Sequence, residues 1–172
     1  METREPYGYA ADDPVSSEDP SGLMPLGPHE AESYFGNEKY LFRYFRATLH
    51  LSSAQTAGII GNLIVESDYT LSPSEHQQGG SAMGIGQWEP ARWSQLLAFA
   101  AKKNSKPDNI ELQAEFIVHE LHTDYSGALS ALKDTRGSRQ AAVAFEREYE
   151  GAGYPQLENR ENYAVQVYNE FG

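Results

Sequence analysis

The stretch from Gly58 to Trp93 constrains this chain more than any other. Ile59, Ile60, Leu63 and Ile64 recur at helical spacing, and Ser52 with Gln55 three residues later forms a capping box before them. Gly58 and Gly61 lie inside that helix, where each costs about 1 kcal/mol relative to alanine. Their three-residue spacing puts them on one face, so a neighbouring helix is expected to approach closely there. Glu66 stands in the last turn. The chain then breaks into a polar, glycine-rich loop from Asp68 to Met83, returns through Gly84–Trp88, and starts a new helix near Pro90, a residue suited to a first helical turn.

A carboxylate at the end of an apolar helix is partly desolvated and meets the negative end of the helix dipole. Both effects disfavour its charge, which is what a general acid at neutral pH requires. The competing reading is a solvated glutamate at a helix end. Asn62, one turn earlier, faces the same side. Its amide can meet the Glu66 carboxylate, a substrate or a buried backbone group.

The rest of the chain is also helical in period. Glu30–His50 carries an aromatic and aliphatic face, read mainly as core, with an interruption expected at Gly36-Asn37 and a main helix from about Glu38. A helix from Pro90 to about Lys103 should turn Trp93, Leu96, Leu97 and Phe99 inward. Asp108, with Glu111, is the expected cap of a helix reaching about His122. Further helices are expected around Ala128–Lys133, from Ser138 to Tyr149, and from about Gln156 to Phe171. The fold class is mainly α, with at most a small β-hairpin in the loop between Asp68 and Gly84. Residues 1–29 hold five prolines, six acids and one base without apolar periodicity, and read as a flexible tail or linker ahead of a domain spanning 30–172.

Composition excludes several classes. The formal charge of −12, from 25 acidic and 13 basic residues, disfavours nucleic acid as a partner. The absence of cysteine removes disulfides and thiolate metal sites. The apolar runs are too short for a membrane span, and no secretory signal is recognised at the N-terminus. His119 and His122 share a helix face with Glu115 but lack the zinc-protease spacing, so neither a metal nor a cofactor is expected.

Glu66-Ser67, followed eighteen residues after the glutamate by Gly84-Ile85-Gly86-Gln87, resembles the Glu-Ser … Gly-x-x-Gln pattern of goose-type lysozymes and lytic transglycosylases. The longer string Ala57-Gly58-Ile59-Ile60-Gly61-Asn62-Leu63 … Glu66-Ser67 … Gly84-Ile85-Gly86-Gln87-Trp88 … Arg92 is more similar to the phage tail lysozyme family. That similarity continues through Glu120-Leu121, Phe145, Tyr149-Glu150, Arg160 and Ala164, and covers roughly residues 35–171.

The resemblance implies a lysozyme-like helical domain that degrades peptidoglycan as a muramidase, with Glu66 as general acid. Gln87 would bind substrate or position water, and Asn62 and Ser67 would support the glutamate. Those three join Trp88, Tyr149 and Tyr154 as candidate substrate-binding residues. Trp88 and Arg92 also have core and helix-end readings. Asp68, Glu75, Glu89 and Glu150 are candidates for a second carboxylate, and Glu150 is alternatively an ion-pair partner of Arg160. A lytic transglycosylase giving anhydro ends needs no second carboxylate. A reading from another class is a non-catalytic wall-binding or phage-tail structural module. The implied partner is bacterial peptidoglycan, reached at the cell wall or periplasm by virion delivery or a dedicated export route, within a larger phage tail or secreted assembly. The acidic balance argues against avid adhesion to anionic walls by this domain alone.

Overall fold

A computed structural model describes residues 28–153 and 155–172, with side chains described from residue 33 onward. The expected tail lies outside the described residues except for its last two positions, and Tyr154 also lies outside them. Seven α-helices are described: α1 Pro28–Leu49, α2 Ser53–Glu66, α3 Pro90–Lys103, α4 Ile110–His122, α5 Ser126–Asp134, α6 Ser138–Phe145 and α7 Leu157–Phe171. A π-helical turn, Glu146–Glu150, extends α6.

The apolar helix α2 is the axis of the domain. Every residue from Thr56 to Val65 is buried. Its Ile59, Ile60, Leu63 and Ile64 join Leu41, Phe45 and Leu49 of α1, Ile117 and Leu121 of α4, and Phe145 of α6 in one core. The capping box at its start is formed: Gln55 N donates to Ser52 Oγ (3.2 Å), and Ser52 N donates to Gln55 Oε1 (2.9 Å). Gln55 Nε2 also donates to the Lys133 and Thr135 carbonyls, each at 3.0 Å, which ties the start of α2 to the end of α5.

The two helical glycines are sites of close approach. A Cβ at Gly58 would lie 2.6 Å from the Ala141 carbonyl carbon on α6. One at Gly61 would lie 2.6 Å from both the Arg160 carbonyl oxygen and the Ala164 nitrogen on α7. These obstacles are backbone atoms of packed helices, so relief requires moving a whole element. The propensity cost of the glycines is offset by the packing it allows.

Several local expectations are corrected. Gly36-Asn37 does not interrupt α1. Asn37 spends its amide on the Leu71 carbonyl (2.9 Å), across to the long loop, rather than competing for its own helix backbone. The cap of α4 is Asn109, not Asp108: Asn109 Oδ1 accepts from Glu111 N (2.8 Å) and Leu112 N (3.0 Å). Leu97 is 43% exposed, so the inward stripe of α3 is narrower than expected. The helix from Ser138 is α-helical only to Phe145 and then widens. Gly151, at φ 59°, closes that turn by donating its N–H to the Glu146 carbonyl (2.7 Å).

The loop after α2 contains no strand among the described residues. Isolated antiparallel bridges join His76 to Met83 and Met83 to Trp88. Asp68, Tyr69, Leu71 and Gln87 all adopt left-handed backbone angles without being glycine, at about 1–3 kcal/mol each. Gln113, buried on α4, holds the loop in place. It accepts from Ile85 N (3.0 Å) and donates to the carbonyls of Pro73 (2.7 Å) and Pro107 (2.8 Å).

Two stability predictions follow from this packing. Gly61→Ala should lower stability by about 1–3 kcal/mol because the new methyl has no room. Gly36→Ala should raise it by up to about 1 kcal/mol, since a Cβ there meets nothing within 4 Å; urea titration of both variants measures the contrast. Glu38, buried on α1, has its carboxyl raised to about 8 by burial and then by Glu170, against a hydrogen bond from Tyr34. A value raised in the folded state contributes stability that is complete below the ordinary value of 4.5 and is lost as pH rises through about 8. Glu38→Gln should therefore flatten the fall in melting temperature over that window. At pH 9 it should exceed wild type by on the order of 2 kcal/mol.

Candidate active site

The end of α2, the loop behind it, the start of α3, the π turn and α7 enclose a cleft of about 580 Å³. Its polar walls carry Glu66, Asp68, Glu75, His76, Gln87, Glu89, Arg92, Glu150 and Arg160. The Glu66 side chain is 17% exposed, in reach of anything that enters.

Glu66 does not stand alone. Arg160, on α7 and itself 2% exposed, places Nη2 2.5 Å from Glu66 Oε1. The other two nitrogens of that guanidinium are anchored: Nη1 to Asn62 Oδ1 (3.0 Å) and Nε to the Pro155 carbonyl (2.5 Å). The cation thus meets the negative end of α2 and its last carboxylate together. The close packing at Gly61 brings the Arg160 backbone near enough for this reach. The alternative pairing of Arg160 with Glu150 is replaced by this one.

Four candidate substrate-binding residues are buried instead. Asn62 is fully enclosed; its amide donates to the carbonyls of Gly58 (2.8 Å) and Ala142 (3.0 Å) and accepts from Arg160, so no polar group remains for a ligand. Ser67 is equally buried, donating to Leu63 O (2.7 Å) and accepting from Leu71 N (2.9 Å), which fixes the turn out of α2. Trp88 is fully buried, its ring edge-on to Phe116 at 5.7 Å and its Nε1 donating to Glu120 Oε2 (3.2 Å). Tyr149, 2% exposed, donates its hydroxyl to Glu120, and burial first and Glu120 second hold its phenol well above the usual range. Tyr154 lies outside the described residues. Gln87 is half-buried on the cleft wall, its Nε2 donating to the Gly84 carbonyl (2.9 Å).

Behind this wall sits a second polar cluster centred on Glu120, a buried residue of α4. Arg92 binds it bidentately, Nε to Oε1 and Nη2 to Oε2, both at 2.9 Å. The Arg92 guanidinium also lies over the rings of Tyr125 and Tyr149, 4.7 Å from each centroid. Burial works against its charge, but the Glu120 hydrogen bonds more than offset this and raise its value. The side chain, 20% exposed, reaches the cleft as a fixed cation.

The second-carboxylate candidates all line the cleft, in different settings. Glu75 Oε2 accepts from Thr70 Oγ1 (2.9 Å), while Asp68 and Glu89 are exposed. Glu150 differs: its Oε1 is buried without a hydrogen-bond partner. Burial, then the Glu66 charge, push its carboxyl well above the usual range, against Arg92 and Arg160 and with Glu120 adding to the rise. On α4, Glu115 is paired with Lys103, and His119 stacks on Phe99 at 5.2 Å. Among the described residues no cluster of three His, Asp or Glu side chains could hold a metal ion.

Sequence reasoning missed one organising residue, Gln113, and left the partner of another, Arg160, open. Gln113 carried no local signal, because two of its three partners, Pro73 and Ile85, lie in loops distant along the chain. The partner of Arg160, open between alternatives in the sequence, is Glu66, and only the packing at Gly61 shows which carboxylate it reaches.

No curated protein is significantly similar to the chain. The family model described as phage tail lysozyme matches residues 36–171, nearly the whole described domain. That span contains α2 with Glu66, the Gly84–Trp88 return, the Glu120 cluster and the Arg160 clamp. With a helical fold and a carboxylate-bearing cleft to match, the chain belongs to the phage tail lysozyme family, and that membership points to a lytic role on bacterial peptidoglycan.

Proposed function

We propose that the cleft cuts the glycan strand of peptidoglycan as a muramidase, with Glu66 as general acid. The observation that carries this is one partly exposed carboxyl on the wall of a polar cleft, gripped by a buried guanidinium. Cleavage needs a proton on the glycosidic oxygen while positive charge develops on the sugar ring. Glu66 delivers that proton, and Arg160 keeps the residual carboxylate in place. Gln87, on the return segment across the cleft, orients the sugar or the attacking water. Asn62 and Ser67 act from behind, one through Arg160 and the other through the turn that ends α2. Trp88 and Tyr149 form the floor rather than the contact surface. The protein acts at the cell wall, carried there within a phage tail or a comparable assembly.

Glu66→Gln should reduce glycan cleavage by on the order of a hundredfold or more. It should cost about 1–3 kcal/mol of stability, because Arg160 loses its ion partner while keeping an acceptor. Gln87→Ala should lower turnover less. Mass spectrometry of digested peptidoglycan should find reducing ends. Products lighter by one water would instead assign a lytic transglycosylase, and undiminished cleavage by Glu66→Gln would remove the acid from residue 66.

A further inference from the structure

We propose that Arg92 is a substrate-binding residue of the cleft: the open end of its guanidinium donates to the acetamido carbonyl of an N-acetylated amino sugar. This rests on the lytic reading above and deepens it by naming the group on the glycan that the cleft recognises.

The guanidinium is used on one edge and left open on the other. Nε and Nη2 bind the two oxygens of buried Glu120, both at 2.9 Å. Its Cζ lies over the rings of Tyr125 and Tyr149, 4.7 Å from each centroid. A planar fork held along one edge and against its face cannot turn, so the direction of its remaining donors is set as well. Two of those donors are on Nη1, which has no acceptor among the described residues. Nor is Nη1 enclosed, because the buried side-chain atoms without a partner are Glu38 Oε2 and Glu150 Oε1. The side chain is 20% exposed and lines the cleft together with Glu66 and Gln87. Arg160, the other guanidinium on the cleft, has an acceptor on each of its three nitrogens.

The surroundings select the kind of acceptor. Glu66, Asp68, Glu75, Glu89 and Glu150 all line the cleft, and Glu120 already balances the charge of Arg92. An anionic group would meet like charge on every side, so a neutral acceptor fits better. Among neutral groups an amide carbonyl is a strong acceptor, and a charged donor strengthens the bond further. A glycan of N-acetylated amino sugars carries such a carbonyl on each ring, beside the glycosidic bonds and not part of them. The contact therefore seats the sugar without touching the bond that breaks.

The test pairs a change in the protein with a change in the substrate. Glycan strands from peptidoglycan are de-N-acetylated and then re-acylated with acetyl or with trifluoroacetyl groups. Fluorine withdraws density from the carbonyl oxygen, which weakens it as an acceptor while the group stays neutral and similar in shape. Wild type should lose about tenfold in kcat/KM on the trifluoroacetyl strands, mainly through KM, because the contact is made before the bond breaks. Arg92→Lys keeps a charge for Glu120 but not the fork, and its loss between the two strands should be less than about threefold. A merely structural Arg92 would lower both rates together and leave their ratio as in wild type. If the lysine variant does not fold, the Glu66→Gln protein keeps Arg92 intact. Its Arg92 guanidinium nitrogen resonances should shift on titration with an N-acetylated peptidoglycan oligosaccharide, and shift less with the trifluoroacetyl form. Equal wild-type rates on both strands, an equal drop in both proteins, or Arg92 resonances that do not respond overturn the proposal. A wild-type protein that cleaves neither strand defeats the lytic reading itself, an outcome distinct from cleavage without discrimination.

Discussion

The contact between Arg160 and Glu66 is the interaction on which the site depends. A guanidinium that is 2% exposed is expensive to bury unless each face of its fork finds an acceptor. Here a carboxylate, an amide oxygen and a backbone carbonyl divide the fork among them. That arrangement exists because α7 can lie against α2 at Gly61, where a side chain of any size would hold the two helices apart. A glycine that weakens a helix locally thus sets the position of Glu66 against Arg160. Asn62 serves the same end: its amide bonds back to Gly58 and across to Ala142 on α6, so three helices converge behind one carboxylate.

The Glu120 cluster plays the corresponding part on the other wall. A buried glutamate would be costly alone, but two Arg92 hydrogen bonds, the Trp88 indole and the Tyr149 hydroxyl satisfy its oxygens. Its members come from the return segment, α3, α4 and the π turn, so it fastens the return segment and the π turn to the two helices. The result is a cleft in which Arg92 and Arg160 are both fixed by buried partners. Charge in the site is preorganised rather than gathered when a substrate arrives.

Much of this was legible in the sequence because it was encoded locally. Helical period gave α2, Ser52 and Gln55 gave its cap, and the paired glycines announced a close neighbour, as Gly58 and Gly61 proved to have on α6 and α7. The order Glu66-Ser67 … Gly84-Ile85-Gly86-Gln87-Trp88 indicated the family. The direction of side chains beside the site was not legible. Asn62, Ser67, Trp88 and Tyr149 all lie beside the site in sequence or family pattern, yet burial turns them to structural partners. Sequence spacing fixes which face of a helix a residue occupies, but not whether another helix covers that face. The π turn was equally hidden, since the residues of Glu146–Glu150 differ little from an α-helical continuation.

The most direct measurement of the central claim is a crystal structure of the Glu66→Gln protein soaked with a peptidoglycan oligosaccharide spanning the cleft. The account predicts a glycosidic oxygen on the order of 3 Å from the residue 66 side chain, with Arg160 still on its far side and Gln87 facing the sugar. A glycan seated with its scissile oxygen against Glu75 or Asp68, or bound outside the cleft altogether, would contradict it.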